Sequence, residues 1–115
     1  MLYFPASGRF YYAEGALLLY EKGCEAKNKS VESCFRAGKL YRDGEHVKQD
    51  YNKARKFFTK GCNENDSESC LNLADMMEKG QGSSIESKSN AKELYGKLCE
   101  QGNLEGCWNF KRLNQ

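Results

Sequence analysis

Six cysteines stand at positions 24, 34, 62, 70, 99 and 107, and they fall into three pairs that repeat at a near-constant interval. First members are 38 and 37 residues apart, second members 36 and 37. An internal period of roughly 20–50 residues marks a chain built from stacked supersecondary units, none of which buries its apolar face alone. The surroundings of the cysteines recur as well. Eight residues before each first cysteine stands Ala16, Ala54 or Ala91. Five before stands Leu19, Phe57 or Leu94, and four before stands Tyr20, Phe58 or Tyr95. Six after each second cysteine stands Leu40, Met76 or Leu113, and ten after stands Gly44 or Gly80.

Offsets of −8, −5, −4 and 0 share one face of an α-helix, so each first cysteine closes the apolar stripe of a helix, here type B. Offsets of 0, +3, +6 and +7 after each second cysteine mark a second stripe, on a type A helix. It carries Cys34, Ala37, Leu40 and Tyr41, then Cys70, Leu73, Met76 and Met77. Gly44 and Gly80 fall where type A helices should stop. Asp50 and Asn90 fall where type B helices should start, and Asn65 with Glu68 and Asn90 with Glu93 have capping-box spacing. The pattern predicts type B helices over about 10–28, 50–64 and 90–101, and type A helices over about 31–43, 67–79 and 104–113. Residues 1–9 are expected to be irregular. The sum is all-α: an α-α solenoid of about 2.5–3 helix pairs, in one domain over 1–115, with units at about 10–43, 50–80 and 88–113. Gly38 and Ala74 share a mid-helix position, which predicts close approach of a facing helix at Ala54 or Ala91.

Charge excludes some partners. Eighteen Lys and Arg against 16 Asp and Glu leave a net charge of +2, which gives no electrostatic case for nucleic acid or a membrane surface. No apolar run approaches the length of a spanning helix. The cysteine count points to a compartment. Three bridges need an oxidising space, periplasmic or extracellular. Met1-Leu2-Tyr3-Phe4-Pro5 lacks the features of a secretory signal, so a removed signal is inferred, with an unbridged cytosolic protein as the alternative.

The segments Cys70-Leu-Asn-Leu-Ala-Asp-Met-Met-Glu-Lys-Gly80 and Asp50-Tyr-Asn-Lys-Ala-Arg-Lys-Phe-Phe-Thr-Lys-Gly-Cys62, with the eight-residue step from Cys62 to Cys70, resemble the Sel1-like repeat. More narrowly, they resemble the Helicobacter-type cysteine-rich (Hcp) branch, which carries a β-lactamase label. The loop of that family is similar, in altered form, to Gly44-Glu-His-Val47 and Gly80-Gln-Gly-Ser-Ser84. The resemblance covers roughly residues 12–113. Departures are the ten-residue spacing of the first pair, Ala37-Gly38 in place of Leu-Gly, and Lys111 at the small-residue site of the last type A helix. The resemblance implies a TPR-like solenoid with the bridges Cys24–Cys34, Cys62–Cys70 and Cys99–Cys107. Fifteen pairings are formally open, and the local one also suits antiparallel helices joined by short turns. A zinc site is disfavoured because no C-x-x-C occurs and His46 is the one histidine. No cofactor or metal is expected.

Ser89-Asn-Ala-Lys92 matches S-x-x-K, the nucleophile motif of serine β-lactamases, but neither S-D-N nor K-T-G follows, and Ser89 also suits a helix start. The residues therefore supply no catalytic constellation, and weak β-lactam binding or hydrolysis stands only as what the resemblance implies. Asn28-Lys-Ser30 and Asn65-Asp-Ser67 fit the glycosylation sequon at helix junctions.

Binding suits the repeat better. Positions +1, +2 and +5 after each second cysteine are not needed for the type A stripe. They are Phe35, Arg36 and Lys39; Leu71, Asn72 and Asp75; and Trp108, Asn109 and Arg112. On the concave face of a solenoid, large apolar groups beside amides and cations suit a protein or an extended peptide, cell-wall-derived peptides included. The reading is a monomeric, extracytoplasmic, three-disulfide protein- or peptide-binding module. The alternatives are the β-lactamase-like activity and an immunity or assembly factor for one protein partner.

Overall fold

The computed structural model describes residues 5–82 and 87–115 and contains six helices: α1 (Pro5–Glu25), α2 (Val31–Asp43), α3 (Tyr51–Asn63), α4 (Ser67–Lys79), α5 (Lys88–Glu100) and α6 (Leu104–Leu113). Each packs on its neighbours in sequence, while α2 also touches α4 and α1 touches α3. The odd-numbered helices are the type B layer and the even-numbered ones the type A layer. The body measures 57 × 30 × 22 Å, with a radius of gyration of 15.5 Å. A globular chain of this length would have about 13 Å, so the stack is elongated as an α-solenoid should be.

Local chemistry sets the ends of the helices. Ser30, Asp50, Asp66, Ser87 and Asn103 are the N-caps of α2 to α6, and each side chain accepts from the backbone N–H three residues on. Gly44 and Gly80 end α2 and α4 in the left-handed conformation, at φ 67° and 72°. Two cap assignments shift. Ser87 caps α5 in place of Asn90, and Asp66 caps α4 in place of Asn65, which itself sits at φ 67° in the turn. The first helix begins at Pro5, five residues earlier than its apolar stripe indicates; proline fits a first helical position because its missing N–H would be unpaired there anyway. Of the nine residues expected to be irregular, Met1–Phe4 lie outside the described residues, as do Ser83 and Ser84 of the second loop.

The same two hydrogen bonds close each repeat. The N-cap amide of each type A helix donates to the carbonyl just before the first cysteine: Ser30 to Gly23 at 3.0 Å, Asp66 to Gly61 at 3.0 Å and Asn103 to Leu98 at 2.9 Å. The bond survives in the first turn despite its two extra residues. At the opposite end, the type B cap amides of Asp50 and Ser87 donate to Tyr41 and Met77 at 2.9 and 2.8 Å.

The three bridges are Cys24–Cys34, Cys62–Cys70 and Cys99–Cys107, with Cα separations of 4.6, 4.6 and 4.3 Å. These lie at the short end of the disulfide range, so the two helices meet closely at each turn. Small residues permit it. Just before the two cysteines of each pair stand Gly23 and Ser33, Gly61 and Ser69, and then Leu98 and Gly106. A Cβ on Gly61 would lie 2.3 Å from Ser69 Oγ, and one on Gly106 would lie 2.6 Å from Leu98 Cβ. The third repeat thus exchanges which helix carries the glycine.

The core forms two clusters. Cys24, Cys34, Ala37, Tyr41, Ala54, Phe57, Phe58, Leu73 and Met76 form one, and Cys70, Leu71, Ala74, Ala91, Tyr95 and Leu98 the other. Tyr41 stacks on Phe57 with centroids 5.9 Å apart. Gly38 faces the Phe58 ring, which a Cβ there would approach to 2.6 Å. The close approach is therefore to Phe58, four residues beyond the expected Ala54, because the small residue receives the ring and not the methyl. Among the described residues no helix is long and apolar enough to cross a membrane.

Candidate functional site

The type A helices α2, α4 and α6 lie side by side, and their outward polar residues form a ladder. Its rungs join offset +8 of one helix to offset +5 of the next, and in the first rung to offset +2 as well. Arg42 Nη1 donates to Asn72 Oδ1 at 2.7 Å, and Arg42 also pairs with Asp75. One repeat on, the charges reverse: Arg112 donates to both carboxylate oxygens of Glu78 at 2.8 and 2.7 Å, and to Asn109 Oδ1. Hydrogen bonding from Arg112 holds the Glu78 carboxyl below the usual carboxylate range, and the same contact raises the guanidinium. Asn72 and Asn109 use their other ends as well, donating to the carbonyls of Glu68 and Glu105 at 2.8 and 2.9 Å.

Between the rungs lies a cleft of about 300 Å³, lined chiefly by Arg42, Leu71, Asn72, Asp75, Tyr95 and Asn109. Burial pushes the Tyr95 phenol up to about 12. Leu71 is buried beneath the cleft. Trp108 stands beside it, 64% exposed, with the Arg112 guanidinium 5.7 Å from its ring centroid.

Of the nine residues singled out in the sequence, Leu71, Asn72, Asp75 and Asn109 line this cleft, and Arg112 and Trp108 adjoin it. Phe35, Arg36 and Lys39 lie farther along α2. Phe35 is half-buried against Phe58, while Arg36 and Lys39 pair with Glu32 and Asp43 one helical turn away. Arg42 and Glu78, which hold the ladder, escaped the sequence reading. The signal for them was the charged residue at offset +8, whose partner is legible only once the helix register is known.

Ser89 and Lys92 line one shallow depression with Glu93 and Phe110. The Lys92 ammonium lies 5.7 Å from the Phe110 ring centroid, and Ser89 is exposed on the first turn of α5. His46 is half-buried in the α2–α3 turn at φ 66°. Among the described residues no three His, Cys, Asp or Glu side chains are grouped as a metal site would require.

The family model described as "Sel1 repeat" matches residues 31–66 and 67–103. These windows open on α2 and α4, so in the family's phase, which groups each type A helix with the type B helix after it, each of the three bridges crosses a repeat boundary. Two curated relatives are similar in sequence. Cytochrome c oxidase assembly factor 7 of Xenopus tropicalis is 33% identical over 95 residues, covering 80% of this chain and 41% of the relative. Cytochrome c oxidase assembly factor 7A of Xenopus laevis is 30% identical over 103 residues, covering 87% and 45%. The chain thus spans less than half the length of the curated relatives it matches. Among solved structures, a Sel1 repeat protein from Oxalobacter formigenes superposes with a TM-score of 0.64 at 23% identity, over 82% of this chain and 42% of the other, a likeness of fold.

Proposed function

Because the chain belongs to the Sel1 repeat family, we propose that it is a disulfide-stapled binding module that holds one protein partner or an extended segment of it, in the manner of an assembly factor. The observation that carries this reading is the type A face. A polar cleft with the buried Tyr95 at its base adjoins an exposed Trp108 whose ring lies against Arg112. Trp and Arg dominate interface energetics, and an exposed pair already ordered by a cation–π contact costs little further entropy to engage. The names of the two relatives support the assembly reading over catalysis. The eight-residue cysteine steps favour placement near the cysteine-rich Hcp branch. Three bridges favour an oxidising, extracytoplasmic setting, since such cross-links persist poorly where thiols are kept reduced.

The reading is tested with a photo-cross-linking residue placed at Trp108, and separately at Lys56 on the opposite layer as a control. One discrete adduct from position 108 in the native extract, reduced about tenfold by Tyr95→Phe with Asn109→Ala, is the expected result. Equal adducts from both positions would remove the type A face as the binding surface.

A further inference from the structure

We infer that the step between α3 and α5, on the layer opposite the type A face, is a second docking groove for an extended, uncharged polypeptide segment. The first step of that layer is bridged by ion pairs. Glu25 of α1 reaches Lys56 at 3.5 Å and Lys60 at 3.7 Å on α3. These three residues stand at +1, −6 and −2 from a first cysteine. The same offsets in the next step are occupied by Asn63, Glu93 and Lys97, so the carboxylate that bridges the first step is replaced by a neutral amide.

What opens there is a groove of about 450 Å³. Its floor is apolar, made by Leu73 and Met77 of α4, Leu94 and Leu98 of α5 and the Cys62–Cys70 bridge. Its rim carries four carboxamides, from Asn63, Asn65, Asn90 and Gln101. On the type A face the amides of Asn72 and Asn109 are committed at both ends. The four around this groove make no side-chain hydrogen bond among the described residues. A carboxamide offers one acceptor and two donors, the complement of a peptide unit. Glu93 and Lys97 are exposed and opposite in charge, so the rim favours neither sign, and the apolar floor disfavours a charged side chain. Asn90 to Gln101 spans about 16 Å at the helical rise, which accommodates about five residues of extended chain. The occupant is therefore a short extended segment with an apolar side chain seated on the floor. This assignment is independent of the type A face reading.

The experiment titrates the ¹⁵N-labelled, oxidised protein with the capped pentapeptide Ac-Gly-Ser-Leu-Ser-Gly-NH2, and with the same peptide carrying aspartate in place of leucine. Saturable shifts at the amides of Asn63, Asn90, Leu94 and Gln101 are expected with the leucine peptide. Binding should be at least about tenfold weaker with the aspartate peptide. The double variant Asn63→Glu/Glu93→Lys restores the ion-pair arrangement of the first step around Lys97 and should weaken the leucine peptide by a similar factor. The exposed single variant Gln101→Glu should weaken it too, and covers the case in which the double variant is not folded. No saturable shift at millimolar peptide would overturn the proposal. So would shifts centred on Asn72 and Trp108, or unchanged affinity in either folded variant.

Discussion

At the residue scale, the contact before each cysteine pair decides how closely two helices can meet. Two repeats place glycine on the type B helix and serine on the type A helix; the third places Leu98 opposite Gly106. A side chain on Gly106 would meet Leu98 Cβ at 2.6 Å and the Tyr95 carbonyl at 3.1 Å, and Leu98 is itself buried and cannot withdraw. Gly106→Ser should therefore cost about 1–3 kcal/mol by overpacking. In a Leu98→Gly background the same change should cost at least about 1 kcal/mol less, since the position then repeats the Gly61–Ser69 arrangement. Urea unfolding of the four proteins gives the coupling, and strictly additive costs would contradict this account of the turn. Part of this was legible in the sequence. The cysteine periodicity placed the bridges and the stripes. The exchange of glycine between helices was not legible, because it depends on which two side chains face each other across a turn. For the same reason Gly38 was paired with Ala54 when its neighbour is Phe58.

At the element scale, α6 is held to the stack by its bridge, by its apolar contacts with α5 and by the bidentate Glu78–Arg112 pair. The folded Glu78 carboxyl lies below its unfolded value of about 4.3, so the stabilisation is present above that pH and is lost as pH falls through the lower folded value. Trp108 is the one tryptophan and contacts Arg112, so its fluorescence reports the event. Acidification below about pH 4 should shift Trp108 emission in the native protein. Glu78→Gln should abolish that step and cost about 1 kcal/mol at neutral pH, the scale of a partly exposed pair. An identical acid titration in the variant would show that Glu78 does not anchor α6. The bounds of α2, α4 and α6 matched the sequence expectation, and in α2 and α4 the glycines Gly44 and Gly80 end the helix where the stripe ends. Those of α1 and α5 shifted because in each the backbone helix starts before the apolar stripe does.

At the scale of the whole molecule, the solenoid has no closed core to share its stability among distant parts. Each repeat depends on its neighbours, and each bridge crosses a repeat boundary. Closing a loop of eight to ten residues contributes about 2–3 kcal/mol in the chain-entropy model, so three bridges are comparable with the whole stability of a small domain. The placement of the type A ladder and of the open α3–α5 groove both follow from this stacking: the bridged turns fix the register, and the register decides which charged offsets meet. The groove was not legible in the sequence, since Asn63, Glu93 and Lys97 acquire meaning only beside Glu25, Lys56 and Lys60. The claim on which all of this rests is that the bridges exist where the protein works. Acid-quenched thiol trapping in intact cells, followed by mass spectrometry of the unreduced protein, tests it directly. The account predicts no alkylated cysteine and three linked peptides joining Cys24 to Cys34, Cys62 to Cys70 and Cys99 to Cys107; six alkylated thiols would contradict it.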